Sequence, residues 1–149
     1  MSKVFYLVLL ICILVTDSNL IRAIVYFVND IADLQLALKF ITFDSLESQV
    51  YTLLGKILIF IGVFISIALY KSKEIKSKQY GIWFSLTASF SYYWFTVWAL
   101  WLPIANGERM NSTFAIAFIF ITLYANIAGL VAGGIGYHLG KFLNKDMYK

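Results

Sequence analysis

Four long stretches almost free of charge alternate with short polar segments along the chain: residues 4–28, 50–70, 80–104 and 113–139. Each approaches or exceeds the ~20 apolar residues that an α-helix needs to cross a bilayer. The connection 29–49 is polar enough to leave the hydrocarbon. Within it Ile31, Leu34, Leu38 and Ile41 recur at helical spacing, with Asp30, Asp33 and Lys39 elsewhere around the wheel. That pattern predicts a short amphipathic helix at the membrane interface, with an ordinary structured loop as the alternative. Asp44 followed by Glu47 resembles a capping box that starts the second span. KSKEIKSK at 71–78 is a basic connection, 106–112 a short polar turn, and the segment from Lys141 onward a basic tail. The expected fold is an all-α membrane protein, a single domain over 1–149. It has four transmembrane helices, with a short extracytoplasmic amphipathic segment between the first two.

Composition agrees with this reading. Of the 149 residues 61% are hydrophobic and 13% charged, well outside the soluble range. The net charge of +4 does not point to nucleic acid, because the cations lie in a short connection and a tail rather than on a face interleaved with aromatics. They orient the chain instead. Lys3, Lys71, Lys73, Lys76, Lys78, Lys141, Lys145 and Lys149 fall on one side of the four spans, and only Lys39 and Arg109 on the other. The positive-inside rule then puts both termini and the 71–78 connection in the cytoplasm, in a bacterial inner membrane as the expected location. Lys3, the apolar run after it and Thr16-Asp17-Ser18 also imitate a signal peptide, but a retained first span is the expectation. That span is only marginally inserted alone. A mid-membrane Asp or Arg costs about 2.5–3.5 kcal/mol, and each Leu, Ile, Phe or Val returns only about 0.3–0.6.

Along the last span and just past its end, a seam runs at alternating steps of four and three through Ala115, Ile119, Thr122, Asn126, Gly129, Gly133, Gly136 and Gly140, all small or polar except Ile119. Lipid-soluble helices have little hydrophobic drive to associate, so contact requires close backbones, which glycine permits. The seam is expected to pack along one whole side against another helix, within the bundle or across a subunit interface. Ser85, Ser89, Tyr92, Thr96 and Ala99 form a second stripe on the third span, and the short turn between these spans predicts that the stripes face each other.

Ionisable groups inside a membrane are the default functional candidates. Asp17, Arg22, Lys56, Asn126 and one of Tyr92 and Tyr93 are expected to form an intramembrane polar cluster, with Asp17 and Lys56 the better-matched pair. Its functional readings are a proton or ion path or a bistable switch; its structural reading is polar glue between helices. Cys12 alone supports neither a disulfide nor a metal cluster within one chain, and His138 reads as an interfacial histidine. No phosphate-binding glycine loop, zinc-protease motif or nucleophile elbow is present. Asn111-Ser112-Thr113 matches a glycosylation sequon but lies against the membrane.

The expectation is therefore a non-enzymatic inner-membrane subunit without cofactor, which oligomerises or docks a cytoplasmic partner through its basic segments. In size and expected topology it is similar to small prokaryotic exclusion, immunity and anti-phage membrane proteins, a class-level likeness without a shared motif. It is expected to act as a sensor or anchor in such a system. The alternative is a small oligomeric ion channel or transporter component.

Overall fold

The computed structural model describes residues 3–41, 46–70, 75–109 and 113–146, with side chains for all of these except 46–51, 114–115 and 144–146. Among them every regular element is a helix: α1 Lys3–Val15, α2 Ser18–Val28, α3 Leu34–Lys39, α4 Leu46–Leu58, α5 Ile61–Leu69, α6 Ile75–Ala105 and α7 Phe114–Asp146. Within α7, Ile116–Leu143 is long and apolar enough to cross a membrane by itself. The pairs α1–α2 and α4–α5 reach that standard only if each is counted as one bent span. At 31 residues α6 has the length, but its serines, tyrosines and tryptophans make it less apolar than α7.

The molecule is built on the α6–α7 hairpin. Pro103 sits in the last turn of α6, and Gly107 follows with φ +92°, a backbone state that favours glycine and ends the helix. The helices then run together with glycine against serine. Gly129 lies on Ser85 and Ser89, Gly133 on Ser85, Gly136 on Phe84, and Gly140 on the Cα of Ser77. Ser77, Ser85 and Ser89 are buried on the facing side of α6. A Cβ on Gly140 would come within 2.7 Å of that Cα, so the close approach depends on its absence. On α5, the Ser66 hydroxyl donates to Gly62 O at 2.9 Å and lies 3.2 Å from Ser85 Oγ of α6, beside Gly133 of α7. Tyr70 and Tyr137 stack at 4.7 Å below it.

Large apolar side chains point outward instead. Phe95 is 75% exposed, and the free side of α7 shows Ile116, Phe120, Leu123, Ile127, Val131 and Ile135. Ile119, expected in the seam, also faces outward at 70% exposure. The seam therefore begins one turn later, at Thr122.

Two expected spans are broken. The first, read as continuous over 4–28, bends by 69° between α1 and α2. Thr16 turns its hydroxyl back onto Cys12 O, and Asp17 takes an extended conformation whose Oδ1 accepts from Asn19 N at 2.8 Å and Leu20 N at 3.1 Å. A short carboxylate competes well for backbone N–H groups, so Asp17 starts a new helix rather than riding through an old one. The second, read as continuous over 50–70, bends by 45° between α4 and α5. The third and fourth run as unbroken helices, longer than 80–104 and 113–139.

After the first break α2 lies across α6, and α3 folds back onto it. Asp33 Oδ1 caps α3 by accepting Leu36 N at 2.7 Å. Ala23, Ala32 and Ala37 close the contact, with Tyr26, Phe40 and Ile41 packed around them. Ile31, Leu34 and Leu38 of the expected amphipathic helix are turned away from the protein. The Asp44–Glu47 capping box lies outside the described residues.

Candidate functional site

The break at Asp17 positions the first charged group. Its Oδ1 is held by the first turn of α2, which leaves Oδ2 free to meet Lys56 Nζ from α4 at 2.6 Å. The two side chains are 21% and 17% exposed, so the pair is largely withdrawn from its surroundings. It stands in a crevice of about 270 Å³ lined by Thr16, Ser18, Asn19, Thr52, Tyr93 and Thr122 among others. Ile59 and Phe118 supply apolar wall. Of the two tyrosines weighed from sequence, Tyr93 is the buried one that reaches this crevice. Tyr92 is exposed and pairs loosely with Tyr124 at 6.5 Å.

Asn126 does not join the pair. Its Oδ1 accepts Gly62 N at 2.6 Å, and its Nδ2 donates to Leu58 O and to Thr122 O, both at 2.9 Å. In an unbroken helix Gly62 N–H would donate to Leu58 O. The amide of Asn126 is inserted into that bond and satisfies both ends. Thr122 donates to Phe118 O at 2.9 Å and connects the two places, since it also lines the crevice.

Arg22 stands apart from both. Its guanidinium carbon lies 4.2 Å from the ring centre of Phe40, 4.8 Å from Trp101 and 5.4 Å from Tyr26. Three aromatic faces make a cage for a delocalised cation. The expected single cluster is thus three separate arrangements: an ion pair in a crevice, an amide in a helix break, and a caged guanidinium. The sequence gives no hint of Gly62, Thr16, Phe40 or Trp101 as their partners.

Comparison with protein-family models, curated proteins and solved structures finds no match for this chain.

The glycine-bearing seam is shared between two neighbours. Gly129, Gly133, Gly136 and Gly140 face α6, whereas Thr122 and Asn126 face the α4 side. The second stripe diverges likewise. Ser85 and Ser89 are buried in the hairpin, while Tyr92 and Ala99 are exposed. Of the basic patch, Lys141 is exposed with its ammonium 4.9 Å from the ring centre of Tyr137, and Lys76 is exposed on the first turn of α6. Lys78 is half-buried. Lys71, Lys73 and the side chain of Lys145 lie outside the described residues. His138 is exposed, edge-on to Tyr137. Among the described residues no group of three or more His, Cys, Asp or Glu side chains gathers around a point.

Proposed function

We propose that this chain is a non-enzymatic integral-membrane subunit, four spans with both ends in the cytoplasm, that assembles with itself or with a cytoplasmic partner. One observation carries the reading: glycine and serine line the contact between the long helices, while isoleucine, leucine and phenylalanine line the outside. A water-soluble bundle has the opposite distribution. In this reading α1–α2 and α4–α5 are two bent spans, and α2–α3 caps the outer end of α6. Lys76, Lys78 and Lys141 carry the cytoplasmic charge that would hold an acidic partner or anionic headgroups. A sensor or anchor in a bacterial defence, immunity or exclusion system is a role that suits such a subunit.

The test combines location with assembly. In a Cys12→Ser background, Lys73→Cys should be shielded from a membrane-impermeant maleimide on spheroplasts, and Asn111→Cys should be labelled. The protein should leave mild detergent columns as an oligomer or with a co-purified partner. Recovery from the soluble fraction, or the opposite labelling, would refute the topology. A bare monomer would refute the assembly.

A second reading, a channel or transporter component, draws on the crevice. Helix breaks inside a bilayer leave backbone groups that must be satisfied by protein or by water in a cavity. Discontinuous spans meeting near charged groups are the usual construction of solute sites. Ion flux into liposomes should then be lost in Lys56→Ala. A wild-type protein that conducts nothing removes this reading.

A further inference from the structure

We propose that Arg22 binds the phosphate group of a membrane phospholipid, which serves as counter-ion to the caged guanidinium beside the C-terminal end of α6. The inference rests on the integral-membrane reading above and adds a ligand at a site apart from the lysines.

The charge of Arg22 is met by rings and not by oxygen. Among the described residues Asp17 is committed to Lys56 and to the first turn of α2, and Asp33 Oδ1 to the cap of α3. No described carboxylate forms an ion pair with Arg22. Phe40, Trp101 and Tyr26 surround the guanidinium carbon at 4.2, 4.8 and 5.4 Å. Ring faces stabilise the charge, but they do not satisfy the N–H donors, which radiate in the guanidinium plane. Nε is buried without a hydrogen-bond partner among the described residues. A buried cation short of acceptors is costly, and an oxygen anion supplied from outside the described residues removes that cost.

The guanidinium can be reached. Arg22 is partly exposed while its Nε is buried, so the terminal amino groups are the accessible part. They share one plane and match two oxygens of a phosphodiester in parallel N–H···O bonds. The three rings already restrict how the guanidinium turns, so binding orders little that is not ordered beforehand.

The surroundings select a lipid over a free anion. Phe27, Ile31, Leu34 and Leu38 of the same α2–α3 segment are exposed. A hydrated ion gains nothing from them. A phospholipid lays its acyl chains against such a surface while its phosphate reaches the cation. Trp98 and Trp101 stand in the last turns of α6, the part of a span where indoles meet headgroups. Arginine near the end of a span extends its charge to the same level.

Arg22 and Arg109 are the arginines of the chain, and Arg109 is exposed. Full-length Arg109→Lys, freed of lipid in a maltoside detergent, therefore shows a single arginine Nε–H resonance, that of Arg22. Titration with dihexanoyl phosphatidylglycerol should move it to a saturating value. Dihexanoylglycerol, which has the same chains and no phosphate, should leave it in place, and inorganic phosphate should move it only at far higher concentration. Indifference to phosphatidylglycerol overturns the site and leaves the membrane reading to be decided separately by fractionation. An equal response to dihexanoylglycerol overturns it as a phosphate site, and an equal response to inorganic phosphate as a lipid site. Asp44 follows Phe40 in the sequence and lies outside the described residues. A resonance that shifts on Asp44→Asn before any lipid is added gives the counter-ion to the chain itself and overturns the proposal too.

Discussion

Asn126 completes with its own side chain the hydrogen bond that Gly62 does not make within its helix. Gly62 N–H points at Asn126 Oδ1, 2.6 Å away, and Leu58 O, its ordinary helical acceptor, is taken by Asn126 Nδ2. At the 45° bend between α4 and α5 the two severed backbone groups are thereby satisfied by a side chain of α7. Gly62 is shaped for the contact from the other side too, because a Cβ there would sit 2.7 Å from the backbone oxygen of Asn126.

Removing the amide should expose both ends of the severed bond. Asn126→Ala leaves the N–H of the buried Gly62 and the more exposed Leu58 O without their partner, and a buried orphaned group costs about 1–3 kcal/mol. A loss of roughly 1–3 kcal/mol is expected in reversible unfolding in mixed micelles. Asn126→Asp, which keeps the acceptor for Gly62 but has no donor for Leu58, should fall between the two. A stability equal to wild type in Asn126→Ala means that α4 and α5 close into one straight helix by themselves.

The bend also makes a prediction about glycines that chemistry alone does not distinguish. Gly62→Ala should cost about 1–3 kcal/mol, because the clash is with backbone that does not move aside easily. Gly134→Ala on α7 meets nothing within 4 Å and should be neutral or gain up to about 1 kcal/mol from helix propensity. Paired melting curves check this, and equal shifts in the two variants would contradict it.

Much of the fold is legible in the sequence and much of the site is not, for one physical reason. Hydrophobic runs and the glycine spacing of α7 report what each helix is made of, and from them follow the long hairpin and the Asp17–Lys56 pairing. Spacing along an assumed straight helix does not report where that helix ends. Once Asp17 caps α2, every residue after it turns by 69°, and Arg22 leaves the neighbourhood of Lys56 for Phe40 and Trp101. In the same way Asn126 follows the seam's period but meets α4–α5, because α7 passes from one neighbour to the next along its length. Gly62 lies in an apolar stretch where nothing in composition marks it.

The hairpin offers a control built into a single helix. Gly133→Leu would drive its side chain into Ser66, Ser85 and the Tyr70 hydroxyl, all within about 3.1 Å of the first added carbon. It should separate α6 from α7 and reduce the folded yield severely. Ile119→Leu, on the outward side of the same helix, should leave yield and unfolding within about 0.5 kcal/mol of wild type. Fluorescence-detected size-exclusion profiles of both variants decide it, and two wild-type profiles would mean that the glycine face is not a contact.

Arg22 gives the last prediction, because its cage holds the α2–α3 segment to the core. Phe40 follows α3, Tyr26 belongs to α2 and Trp101 to α6, so one guanidinium bridges three elements. Each cation–π contact contributes about 0.5–2 kcal/mol, the larger figure where water is excluded. Arg22→Met keeps the apolar stem and removes the charge, and Phe40, with α3 before it, should then detach more often from α2. Lys39, exposed at the end of α3, is the natural reporter: in detergent, trypsin should cleave there several-fold faster than in wild type. Arg22→Lys should be intermediate, since an ammonium keeps the charge but has no planar face to stack. Cleavage of Arg22→Met at the wild-type rate would show that the alanine contacts of α2 and α3 hold the segment down without the cage.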